Sequence, residues 1–411
     1  MDSAFAAAER AARECYGKLV AWLAYQWRDV AAAEVALSEA LLKALACWPR
    51  DGVPDAPQAW LLTVARRELL QVARRQRLHA SPEVQALFDE QAFDVTPAAV
   101  PDARLMLMFV CAHPAIDAKL RPALMLQTVL GLDARIVAQA MLASPAAVAQ
   151  RLVRAKQKIR DARLRFEAPV ADELPARLYA VLEAVYAAYG LGWDAVDGGG
   201  GGADRAGLRA EALFLGELVQ GLLPDEPEAM GLLALMQFCE ARTQARWADD
   251  GRFVPLHEQH TALWHRPTIQ RAETLLRRAA ACSAPGPFQI EAAIQSAHCQ
   301  RLFGGHTPWP AVVQLYTQLL AMSPSLGVQV AHALACAHGG DLARASRLLG
   351  AMADPRRLSY QPYWVAKAHV ESLRLDNAAA QSLEHAIGLT ASPAVRAHLL
   401  TQLALLGGAG T

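Results

Sequence analysis

The 411-residue chain reads as all-α. Three observations predict this. Apolar residues recur at helical spacing over most of the length, proline and glycine concentrate in short breaks between those stretches, and the last quarter carries a repeat of helix-pair length. A chain of this size predicts two or three domains, each able to bury its own core.

From residue 1 to 48, Leu19, Trp22, Leu23, Val35, Leu42 and Leu45 sit at helical spacing and predict two or three helices. WPRDGVPDAP, Trp48 to Pro57, stops them, because three prolines and a glycine in ten residues do not stay helical. From Gln58 a basic helix follows, with Trp60, Leu61, Val64, Leu69 and Val72 inward and Arg66, Arg67, Arg74, Arg75 and Arg77 outward. Arginine-rich faces are common on soluble helices, so this one by itself does not choose between solvent and nucleic acid. Residues 79 to 101, with Ser81-Pro82, Thr96-Pro97, Pro101 and an acidic balance, read as a linker. A buried helix starts near Asp102 in ARLMLMFVCAHPAI and stops at Pro114. Cys111 and His113 lack the partner pair that a zinc site needs and belong to core packing.

Gly131 to Arg165 carries the most specific local pattern. Ile136, Val137, Ala140 and Met141 predict one helix; Ser144 then caps a second, with Pro145 in its first turn. In that second helix Val148, Leu152, Ala155 and Ile159 share an apolar face. Gln150, Arg151, Arg154, Lys156, Lys158, Arg160, Arg163 and Arg165 occupy the rest, opposed only by Asp161. This is helix-turn-helix grammar. Small and polar residues in the first turn can enter a major groove while the following cations neutralise phosphates. A solvated basic surface is the competing reading, and the capped helix in front of it favours DNA.

Charge supports that division. Lys and Arg against Asp and Glu number 22 against 17 in residues 1 to 165, and 18 against 23 in residues 166 to 411, so a basic front is joined to an acidic body. No run approaches a membrane span, and MDSAFAAAERAARE carries acids where a signal peptide needs a basic start. A soluble, cytoplasmic chain with no membrane association is expected. Seven scattered cysteines without a CxxC pair predict buried free thiols.

After Phe166 the stretches become Ala/Leu-rich and amphipathic. Asp197 to Asp204 (DGGGGGAD) reads as a loop; it lacks the Lys-Ser/Thr that phosphate binding needs after the glycines. Asp249-Asp250-Gly251 predicts a turn. His257, His260 and His265 cluster in LHEQHTALWH without the register of a metalloprotease helix. Beyond Pro310, His332 to Leu349 overlays Lys367 to Leu383 at an offset of 35, aligning Asp341 with Asp376, Ala345 with Ala380 and Leu348 with Leu383. That period is close to a tetratricopeptide helix pair, whose stacking leaves a groove suited to a protein or peptide ligand. No nucleophile elbow, Walker loop or dinucleotide fingerprint is present, so neither an enzyme nor a cofactor or metal is expected.

WPRDGVPDAPQAWLLTVAR (Trp48 to Arg66), AQRLVRAKQKIRDA (Ala149 to Ala162), LLPDEPEAMGLLALM (Leu222 to Met236) and FVPLHEQHTALW (Phe253 to Trp264) resemble extracytoplasmic-function sigma factors of bacterial RNA polymerase. The likeness is to the class with a tetratricopeptide-like C-terminal extension. It implies residues 1 to 78 as the domain that binds core polymerase and the −10 element, residues 102 to 166 as the −35 reader, and residues 167 to 411 as the extension that regulates in cis. Trp60 matches an aromatic that packs the first domain. Asp29, Glu34 and Glu39 fall on the clamp-contacting helix, and Arg66, Arg67, Gln71, Arg74, Arg75 and Arg77 on the −10 side. Ser144, Gln150, Arg151, Arg154, Lys156 and Lys158 fall on the −35 side. The implied partners are core RNA polymerase and promoter DNA. Val35 and Ser38 depart from the polar pattern of the clamp helix, which leaves a second reading: a sigma-like protein without polymerase binding, acting as a protein-interaction or DNA-binding regulator.

Overall fold

The computed structural model describes residues 2–77, 102–141, 143–162, 169, 172–193 and 202–408. Among these the architecture is all-α, with no strand and a single isolated bridge between Trp247 and Phe253. The expected linker, Arg163, Arg165 and residues 197–201 lie outside the described residues. Two compact units form, Met1–Gly192 with Ala206–Leu215, and Trp193–Arg205 with Gly216–Thr411. The division falls later than the change of composition at Phe166. Arg104 explains part of this, because its guanidinium pairs with both Asp102 and Glu211 and lies over the Phe214 ring, drawing 206–215 into the first unit.

In the first unit α1 (Asp2–Trp27), α2 (Val30–Asp51) and α3 (Pro57–Arg77) pack on one another. Asp29 caps α2 by accepting the Ala32 N–H, and α3 opens on Pro57. Helix α2 does not end at Trp48 as expected: it continues through Pro49 to Asp51 and closes on Gly52 at φ 88°. Trp48 packs edge-on against Trp60 at 5.5 Å, which anchors that end. Leu19, Trp22, Leu23, Leu61 and Leu69 are buried, whereas Val35, Leu42 and Leu45 are exposed; Val72, expected inward, is exposed as well, and Leu62 takes a core place. Helical spacing gives a stripe; which part of the stripe is covered depends on neighbours distant in sequence.

Helix α4 (Arg104–Cys111) packs on α1 and is buried almost throughout. It is followed by α5 (Arg121–Thr128), α6 (Ala134–Ala140) and α7 (Pro145–Asp161). Gly17 of α1 lies so close to the end of α5 that an added Cβ would fall 1.7 Å from the Val129 carbonyl oxygen. Helix α8 (Leu174–Trp193) ends this unit, save for part of α9 (Gly202–Leu222). Gly202 to Asp204, expected in a loop, are the start of α9.

The second unit is a stack of helices in which nearly every helix packs on the next, and α10 on α12, α12 on α14 and α15 on α17 as well: α10 (Pro227–Glu240), α11 (Arg266–Ala281), α12 (Pro287–Cys299), the short α13 (Arg301–Gly304), α14 (Trp309–Met322), α15 (Leu326–His338), α16 (Leu342–Gly350), α17 (Gln361–Leu373), α18 (Ala378–Leu389) and α19 (Pro393–Gly408). The stacking therefore begins well before Pro310. Three apolar clusters join α12–α14–α15, α15–α16–α17 and α17–α18–α19 into a continuous core. Asp341 accepts the Arg344 N–H and Asp376 the Ala378 N–H, so both aligned aspartates open helices. The buried pairs are Ala345 with Leu349 and Ala379 with Leu383, an offset of 34 rather than 35 in the second helix of the pair. Cysteines are all free, yet Cys282 is exposed and Cys47 and Cys239 only partly buried.

Candidate nucleic-acid interface

Helices α6 and α7 form a compact turn whose two starts are capped by side chains. Asp133 accepts from the Arg135 and Ile136 N–H groups, and Ser144 Oγ from the Ala147 N–H at 3.3 Å. Val148, Leu152, Ala155 and Ile159 are buried, as their spacing predicts. Gln150, Arg151, Arg154 and Lys158 are exposed on the remaining faces. Val153, 69% exposed, stands among them and offers an apolar contact of the kind a thymine methyl accepts. Lys156 differs from its neighbours. It leans inward, and its Nζ lies 2.8 Å from Glu34 Oε1 on α2. The side chains of Ala140 and Arg160 lie outside those described.

On α3, Arg67, Gln71 and Arg74 are exposed at positions i, i+4 and i+7, one stripe of the helix. Arg66 is partly covered, its guanidinium 5.7 Å from the Trp22 ring centroid. Leu70 and Val72 are exposed beside the stripe. A stripe of exposed cations is what tracks a nucleic-acid backbone. The side chains of Arg75 and Arg77 lie outside those described.

The three acids on or next to α2 have different surroundings. Asp29 is occupied as a cap, Glu34 by Lys156, and Glu39 is exposed. Val35, Leu42 and Leu45 continue the exposed surface beside Glu39. An open cleft beside them is lined by Tyr16, Glu34, Gln127, Asp133 and Lys156, bringing residues of α1, α2, α5 and α7 together. Burial, helped by Glu34, pushes the Tyr16 hydroxyl and the Cys111 thiol well above their usual ranges. Cys111 is wholly buried at the end of α4, and His113 Nδ1 accepts the Ala115 N–H. Among the described residues no three His, Cys, Asp or Glu side chains are placed to hold a metal ion, and no helix is long and apolar enough to cross a membrane.

A feature invisible to sequence reasoning lies in the second unit. Histidines distant in sequence line up on its helices: His338 stacks on Trp309 at 4.4 Å, His298 meets Trp309 at 5.6 Å, and His369 meets His338 at 4.8 Å. His257 from the segment between α10 and α11 meets His338 at 5.9 Å. The only available signal was that α12, α15, α17 and α19 each carry a histidine.

Residues 177–280 match DUF6596, described as a family of unknown function. No solved structure matches the chain significantly. An uncharacterized protein of Rhizobium meliloti (strain 1021), R00370, is 38% identical over 316 residues, covering 75% of this chain and 74% of its own. Similarity of that depth across most of both chains makes this protein a member of the same family as R00370.

Proposed function

We propose that this protein is a promoter-specificity factor: it joins core RNA polymerase through α2, meets the −10 element along α3, reads the −35 element through α7, and is controlled by its helical extension. The observation that carries the reading is the doubly capped α6–α7 turn with Gln150, Arg151, Arg154 and Lys158 exposed opposite a fully buried apolar stripe. Such a helix has the packing a rigid reader needs on one side and cations for phosphate and base edges on the other. The Arg67–Gln71–Arg74 stripe with exposed Leu70 and Val72, and the exposed apolar surface of α2, support the other two contacts.

The direct test is gel filtration of the full chain, and of residues 1–166, with bacterial core RNA polymerase. Co-elution of either form supports the reading. Absence of co-elution with both, alongside retained duplex binding, would move the assignment to a sigma-like DNA-binding or protein-interaction regulator.

A further inference from the structure

Between α10 and α11, residues 243–265 contain only the short 3₁₀ turns Thr243–Arg246, Leu256–Glu258 and Thr261–Leu263 and the Trp247–Phe253 bridge. Both ends are pinned. Arg246, nearly buried, stacks 4.0 Å from the Trp193 ring centroid and donates to the Trp193 carbonyl oxygen, while Trp264 is buried beneath Arg242 and Arg301. The middle is different: from Trp247 to Glu258 no residue is fully buried. It turns at Gly251 and then runs over one side of the stack. Phe253 meets His398 of α19 at 5.9 Å and His257 meets His338 of α15. Arg301 of α13 donates to the Leu256 carbonyl oxygen at 2.5 Å and to the Gln259 carbonyl oxygen at 3.1 Å. His369 of α17 stands next to His338 with a buried Nε2 that has no hydrogen-bond partner.

A stack of helix pairs offers one continuous side for an extended peptide. Here that side is lined by imidazoles from α12, α15, α17 and α19, and the chain's own strap covers it. The bonds from Arg301 go to backbone carbonyls, which any extended segment supplies; side-chain selection is left to Phe253, Pro255 and His257 against the histidine row. We propose that residues 247–258 are a tethered ligand of this groove, displaced when a partner protein inserts an extended, proline-containing segment bearing aromatic or imidazole side chains. This rests on the extension being a peptide-binding stack. Tethering gives the strap a high effective concentration, so a free peptide competes poorly until the strap is loosened.

The test uses the full chain and a fluorescein-labelled peptide of residues 246–262 (RWADDGRFVPLHEQHTA), read by anisotropy. A strap-loosened chain, Phe253→Gly with His257→Gly, is expected to bind the peptide about tenfold or more tighter than the unaltered chain. Adding His338→Ala with His369→Ala should abolish that gain. Equal binding by the loosened and unaltered chains overturns the proposal. Hydrogen exchange on the unaltered chain supplies the second readout through the bonded amides of Ala248 and Val254. Both bonds close on Arg252 and Arg246 of the strap itself, so exchange faster than in α12 is the expected result; protection equal to α12 shows a permanent part of the fold and also overturns the proposal. Fast strap exchange with no peptide binding by the loosened chain would instead refute the peptide-binding stack itself.

Discussion

Lys156 Nζ on α7 lies 2.8 Å from Glu34 Oε1 on α2, joining residues 122 positions apart, and both side chains are largely withdrawn from solvent. The pair ties the helix proposed to read −35 DNA to the helix proposed to meet the polymerase. The close approach of Gly17 to Val129 and of Tyr16 to Gly131 surrounds it with further contact between the same two parts of the first unit. In this arrangement Glu34 is satisfied internally. Replacing Lys156 with Met should therefore cost about 1–2 kcal/mol of stability, between an exposed and a fully buried pair, and should raise affinity for core polymerase by freeing Glu34. Urea unfolding and a polymerase titration check the two effects; an unchanged polymerase affinity separates the pair from gating.

Gly17→Ala is expected to destabilise the first unit by about 1–3 kcal/mol, since its Cβ would overlap the Val129 carbonyl and force α1 away from the end of α5. Thermal unfolding measures this. A melting temperature equal to that of the unaltered chain would contradict so close a helix contact.

Arg151→Ala and Arg154→Ala change exposed side chains and should leave the fold intact. Each is expected to weaken binding to a −35 duplex by about 1–3 kcal/mol if it reads a base, with a smaller salt slope if it holds a phosphate. Fluorescence anisotropy across a salt series distinguishes these, and wild-type affinity in both variants would remove α7 from the DNA.

Glu228 of α10 explains the acidic position in the LLPDEPEAMG stretch. Its carboxylate accepts the Phe288 and Gln289 N–H groups at 3.0 Å each, capping α12 from a neighbouring helix. Gly231 and Gly286 leave no room there for a Cβ, which keeps the carboxylate seated. Glu228→Ala should cost about 1–2 kcal/mol, read as an earlier denaturant midpoint without change of slope.

Burial holds His298 at about 3, with Arg242, His338 and Arg301 adding to the shift, and His338 at about 4, with His369 and His257 adding. His369 and His398 are also lowered by burial, although Glu258 pulls His398 back up. A folded-state pKa below the unfolded value of 6.5 means the fold favours neutral imidazole. That stability is complete above pH 6.5 and is lost as pH falls towards 4. Melting temperature should drop over this window, and His338→Gln should flatten the drop; a pH-independent melt would contradict the buried row.

Local chemistry was readable residue by residue. Ser144 and Asp341 cap helices because a short oxygen-bearing side chain there satisfies a free N–H, and Val148, Leu152, Ala155 and Ile159 are buried because their spacing gives them one face. The same spacing put Val72 inward, where the folded chain leaves it exposed, did not show that Val35, Leu42 and Leu45 would be left uncovered, and gave Lys156 no reason to differ from Arg154. Periodicity records that a helix has two faces; it holds no information on whether a second helix covers one of them. The Glu34–Lys156 pair, the cap from Glu228 and the histidine row under the strap join residues about 30 to 145 positions apart, distances that local propensity does not sense. They come into being when α2 meets α7, α10 meets α12, and the strap settles on the stack, and it is at those meetings that charge, burial and protonation are set.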